Sequence, residues 1–123
     1  MILVDTSVWI DHLRSTDELL VDLLDRGQVV IHTFVIGELA VGDLRPRGIV
    51  LAGWQKLQRL VIAHDSEVLR LVERERLFGL GLGYVDVHLL ASVRLSPETF
   101  LWTRDKRLAA AAERLSIAAR LTH

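Results

Sequence analysis

The sequence predicts an α/β fold in which a parallel sheet carries helices on both faces, and three observations predict it. Short aliphatic runs, Ile2-Leu3-Val4, Val29-Val30-Ile31 and Phe100-Leu101-Trp102, lack the polar alternation of a half-exposed strand, as strands buried on both faces do. Between them lie stretches with apolar residues three and four apart, the period of a helix. Strands and helices alternate along the chain, and that alternation builds parallel units with helical crossovers. With 123 residues and no internal repeat, low-complexity tract or linker, residues 1–123 are expected to form a single domain.

The elements follow in order. Ile2 to Val4 is the first strand, and Asp5 stands at its carboxyl end. Ser7 to Arg14 predicts a short helix capped by Thr6 or Ser7, and Asp17 to Arg26 a second, closed by Gly27. Val29 to Ile31 is the next strand, followed by a helix over Phe34 to Val41 behind a Thr33 cap. Gly42 to Gly48 is rich in breakers, and Ile49 to Leu60 reads as an amphipathic helix carrying Trp54. Val61 to Ala63 is expected to be the third strand; Asp65 or Ser66 then caps a helix reaching Leu77. Gly79, Gly81 and Gly83 interrupt the chain before a helix from Tyr84 to Leu95, which Ser96-Pro97 ends. Thr99 to Thr103 is the fourth strand, Lys106 to Leu115 an alanine-rich helix, and Ala118 to Leu121 a final edge strand.

Bulk composition narrows the function classes. There is no cysteine, which excludes disulfides, thiolate metal sites and sulfur redox chemistry. No apolar run reaches the 18 or so residues of a membrane span, and Met1 leads straight into a strand, so a cytoplasmic protein without signal peptide is expected. A formal charge of -1 gives no global basic field, so any nucleic-acid contact must be a local patch. Hydrophobic residues make up 50% of the chain and the mean hydropathy is +0.31, which points to a well-filled core or to apolar surface covered by a partner or second copy. The five histidines show no pair at metal-ligand spacing on one helix face, which argues against zinc.

Four carboxylates share one architectural address. Asp5 ends a strand, Glu38 follows Val29-Val30-Ile31 by about two helical turns, Asp105 follows Phe100-Leu101-Trp102, and Asp86 lies on the core-facing stripe of its helix with Leu89, Leu90 and Val93. The carboxyl ends of parallel strands lie together, at the edge where α/β proteins bind ligands. Clustered carboxylates repel, and protonation, arginine pairing or a divalent cation relieves them. An oxygen-only donor set selects Mg²⁺ or Mn²⁺, ions that suit phosphodiester hydrolysis. The alternative makes Asp5 and Asp105 helix caps, Asp86 a helix-dipole partner and Glu38 a surface residue. Arg104, Lys106 and Arg107 beside Asp105 read equally as a phosphate clamp or a solvated helix start.

These motifs, Met-Ile-Leu-Val-Asp5-Thr6-Ser7, Val35-Ile36-Gly37-Glu38-Leu39, Tyr84-Val85-Asp86-Val87-His88-Leu89-Leu90-Ala91 and Trp102-Thr103-Arg104-Asp105, resemble those of PIN domains, and among them the VapC-type toxins of bacterial toxin-antitoxin pairs. The resemblance covers nearly the whole chain and implies a PIN-like three-layer sandwich. It implies a Mg²⁺- or Mn²⁺-dependent endoribonuclease site of Asp5, Glu38, Asp86 and Asp105, with Asp5 and Asp86 as the metal ligands. It implies further that Thr6 and Thr103 orient carboxylates or water, and that water attack leaves a 3′-hydroxyl and a 5′-phosphate. Homodimerisation and neutralisation by a cognate antitoxin are implied as well, with Trp9, Leu13 and Leu20 expected to be exposed along the antitoxin's apolar groove. Competing readings are an aspartyl-phosphate phosphatase of the haloacid-dehalogenase type, disfavoured because Ser7 stands where that family has a second Asp, a receiver-like phosphoacceptor that would need Lys106 in the acidic site, and a catalytically idle PIN scaffold.

Overall fold

The computed structural model describes residues 1–121. Four strands, β1 (Ile2–Val4), β2 (Val29–Ile31), β3 (Gln58–Arg59) and β4 (Phe100–Trp102), form one parallel sheet in the order β3-β2-β1-β4. Seven helices connect and cover it: α1 (Thr6–Arg14), α2 (Glu18–Asp25), α3 (Thr33–Ala40), α4 (Arg47–Gln55), α5 (Asp65–Arg74), α6 (Tyr84–Arg94) and α7 (Lys106–Arg114). Helix α1 packs on α3 and α3 on α4, while α5 packs on α6, and α6 and α7 lie against β4. Successive strand residues point to opposite faces, so the burial of Val29, Val30 and Ile31 in turn shows that helices cover both sides of the sheet. This is the α/β sandwich the aliphatic runs predict.

Strand β1 is central. Ile2 faces Val29 on one side and Phe100 on the other, Val4 faces Trp102, and the Asp5 N–H donates to the Trp102 carbonyl at 2.9 Å. Leu3 and Val4 are fully buried, each worth about 2 kcal/mol in apolar burial. The chain enters β2 through a Schellman turn: Gln28 N–H bonds the Leu23 carbonyl, Gly27 N–H bonds that of Leu24, and Gly27 takes a φ of +68°.

Several local expectations are corrected. The third strand is not Val61 to Ala63 but Gln58–Arg59, paired with Val30 and Ile31, and the preceding helix ends at Gln55. Both strand residues are exposed, as are Val61 and Ile62, because this is an edge. Helix α1 is not capped by Thr6 or Ser7: Asp5 occupies the cap position, with its side chain turned elsewhere. His32 replaces Thr33 as the cap of α3, its Nδ1 accepting from the Phe34 N–H, and His64 precedes α5 in place of Asp65 or Ser66. The expected edge strand at Ala118 to Leu121 is reduced to a single parallel bridge between Ala118 and Leu101.

Candidate functional site

Asp5 leaves the central strand into α1 and is buried, and two hydroxyls converge on its Oδ2. Thr103 donates at 2.7 Å and Ser7 at 2.9 Å. Each hydroxyl in turn accepts a backbone N–H, Thr103 from Asp105 and Ser7 from Arg104. The turn after β4 is thereby stitched to the end of β1, Asp5 is fixed in orientation, and its Oδ1 is left free of hydrogen bonds within the protein. Sequence reading treated Ser7 only as a cap, although its spacing two residues beyond Asp5 is the signal that a short hydroxyl side chain can bond back to that carboxylate.

Asp86 arrives from the first turn of α6, where its Oδ2 accepts the Gly83 N–H at 3.0 Å. Burial pushes the Asp86 carboxyl above its ordinary value; the Gly83 N–H opposes this, and the charges of Asp5 and Asp105 push it up further. The structure therefore brings Asp5, Asp86 and Asp105 into one electrostatic neighbourhood. Asp105 caps α7, its Oδ1 accepting from Arg107 and Leu108 N–H groups, so it is both a cap and a member of the acidic group. Glu38 is exposed on α3 and accepts from the Thr6 hydroxyl at 2.9 Å. Thr6 and Thr103 thus each hold a carboxylate.

The donor set fits a hard divalent cation. Every site oxygen is a carboxylate or hydroxyl, and Asp5, Asp86 and Asp105 each retain an oxygen with no hydrogen bond among the described residues. Among the described residues no three His, Asp or Glu side chains form a ready-made cage. That suits an ion held by two carboxylates and completed by water, the usual manner of Mg²⁺.

The basic trio divides. Arg104 does not face the acids: its guanidinium bonds Asp11 at 2.6 Å and Asp17, and lies 5.8 Å from the Trp102 ring centroid. It is a strut between the β4 turn and the α1–α2 region, which removes it as a phosphate clamp. Lys106 is exposed, and among the described residues its side chain makes no hydrogen bond or ion pair with the site acids. Arg107 is exposed, and its guanidinium lies across Gly81. The groove residues also divide. Leu13 is exposed as expected, but Trp9 and Leu20 are buried, Trp9 edge-on against Trp54 at 5.6 Å between ring centroids.

With this geometry in place, comparison with known proteins is direct. The PIN domain family matches residues 2–114, and the chain belongs to that family. It is similar to Ribonuclease VapC32 of Mycobacterium tuberculosis, in strains CDC 1551 / Oshkosh and ATCC 25618 / H37Rv alike, with 51% identity over 118 residues, 96% of this chain and 95% of the relative.

Proposed function

We propose that this PIN domain is a VapC-type toxin, a metal-dependent endoribonuclease that hydrolyses RNA phosphodiester bonds in the cytoplasm and is neutralised by a cognate antitoxin. The observation that carries this reading is the convergence of Asp86, Asp5 and Asp105 from three distant segments at the carboxyl edge of the sheet, with an elevated Asp86 carboxyl as its electrostatic mark. The similarity to a named ribonuclease along nearly the whole chain supports it.

Asp5 and Asp86 would hold Mg²⁺ or Mn²⁺. When bound, the ion supplies positive charge that neutralises the acids and stabilises the charge developing on the phosphoryl group. The chain's own residues do the rest. Thr103 and Ser7 fix Asp5 through its Oδ2, and the Gly83 N–H holds Asp86. Thr6 holds Glu38, which with Asp105 completes the acidic rim. Water forms the new bond to phosphorus as the P–O3′ bond breaks and the 3′ oxygen leaves with a proton, which gives a 3′-hydroxyl and a 5′-phosphate.

The antitoxin reading is supported by a cleft of about 450 Å³ lined by Ile10, Leu13, Leu39 and Leu44, with Glu38 and Arg14 at its rim. Homodimerisation is supported by apolar side chains left on the surface, Val41, Ile49, Leu69 and Phe78 among them. No helix among the described residues is long and apolar enough to cross a membrane.

The test is cleavage of a structured RNA pool by antitoxin-free protein in Mg²⁺ or Mn²⁺, with EDTA and Asp86→Asn as controls. Cleavage that disappears in both controls is expected. Equal traces from folded wild type and Asp86→Asn would overturn the reading in favour of a PIN scaffold that acts by binding its partner alone.

A further inference from the structure

The loop that delivers Asp86 and the helix that Asp105 caps touch at one place. Gly81 takes a φ of +80°, and a Cβ built on it would lie 2.4 Å from the Arg107 Nη1 and 2.9 Å from its Cδ and Cζ. The Arg107 side chain therefore occupies the space that a β-carbon at position 81 would take. Gly81 is two residues before Gly83, whose N–H holds Asp86, and Arg107 is two residues after Asp105, whose carboxylate caps its own N–H. Arg107 thus spans the rim between two of the site acids.

Arg107 also differs from its neighbour in what it is bonded to. The Arg104 guanidinium is consumed by Asp11 and Asp17, whereas among the described residues that of Arg107 has no carboxylate within ion-pair distance and no hydrogen-bond acceptor in the protein. A planar cation held in place, unpaired and beside an anionic centre keeps its donors for an anion brought from outside. On the ribonuclease reading, that anion is part of the substrate.

We propose that Arg107, seated on Gly81, is a substrate-positioning residue that binds a backbone phosphate of RNA at the rim of the acidic site. Gly81 is the seat and Arg107 the contact. This inference rests on the ribonuclease reading, so its test separates RNA binding from cleavage.

The experiment measures fluorescence anisotropy of a 5′-labelled single-stranded RNA with intact protein in EDTA, where a metal-dependent enzyme does not cut, across a series of salt concentrations. Arg107→Ala is expected to weaken binding about tenfold and to lower the salt slope by about 0.7, the value of one phosphate contact on a single strand. Arg107→Lys restores part of the affinity. Arg26→Ala removes the same charge at the opposite end of the sheet, where α2 runs into β2, and is expected to leave affinity within about twofold.

Gly81→Ala displaces the far end of a flexible side chain and is expected to reproduce the loss, with nothing added when Arg107→Ala is combined with it. Thermal melts confirm that each variant is folded. Equal losses from Arg26→Ala and Arg107→Ala would reduce the effect to net charge and overturn the contact, and additive losses from Gly81→Ala and Arg107→Ala would overturn the seat. Wild type that binds no RNA in EDTA and cuts none in Mg²⁺ or Mn²⁺ would overturn the ribonuclease reading itself, whereas wild type that cuts but does not bind in EDTA, or that binds and is indifferent to Arg107→Ala, overturns only this inference.

Discussion

His32 is fully enclosed, with Nδ1 accepting the Phe34 N–H and Nε2 bonded to Ser92 at 2.9 Å. Burial lowers its pKa from the ordinary 6.5 to about 4, and nearby His88 adds to the effect. The unfolded chain takes up this proton as pH falls below about 6.5 and the folded chain does not until about 4, so stability is full above that window and is lost through it, by about 3 kcal/mol in total. Urea melts at pH 7.5 and 5 should show about 2 kcal/mol of that loss, and a shallower one in His32→Asn, which retains an acceptor for the cap. Asp86 moves the other way: its burial among acids makes the charged form costly, so Asp86→Asn should melt at a higher temperature than wild type in EDTA while losing cleavage. Single residues were legible in the sequence where local position decides their role. Asp5 and Asp105 were found because an acid directly after an apolar strand lands at the sheet's carboxyl edge. The pairing of Arg104 with Asp11 and Asp17, and the burial of Trp9 and Leu20, depend on which helices meet, which spacing alone does not encode.

Elements were legible in proportion to their burial. β1, β2 and β4 are aliphatic because both of their faces are covered, and the helices between them carry a clear period. β3 escaped because an edge strand is chosen by backbone pairing, not by side chains: Gln58 and Arg59 are exposed, and the Leu60 N–H extends the ladder to the Ile31 carbonyl. Turns with special backbone geometry test the same logic. Gly27→Ala leaves open space around the new methyl but forces a left-handed φ on it, and should cost about 1 kcal/mol in chemical denaturation without altering the site. Arg104→Ala cuts the strut from the β4 turn to Asp11 and Asp17. It should destabilise by up to about 1 kcal/mol, less at high salt, and change RNA affinity less than Arg107→Ala does.

Across the whole molecule, the acidic site is an unfavourable charge arrangement that the fold imposes and that, on the proposed reading, a divalent cation relieves. A ligand that binds only the folded state raises its stability, so millimolar Mg²⁺ or Mn²⁺ should raise the melting temperature of wild type relative to EDTA, and raise that of Asp86→Asn much less. The topology also has a consequence in time. The first strand sits between β2 and β4, its Asp5 is held by Thr103, and the amino-terminal ammonium bonds the Glu98 carbonyl at 2.8 Å. Asp5 and Thr103 stand 98 residues apart along the chain, so the hydroxyl that orients the carboxylate arrives only when β4 docks beside β1. Closing the sheet and assembling the acidic site are therefore a single folding event, so a chain in which β4 has not docked has no formed site.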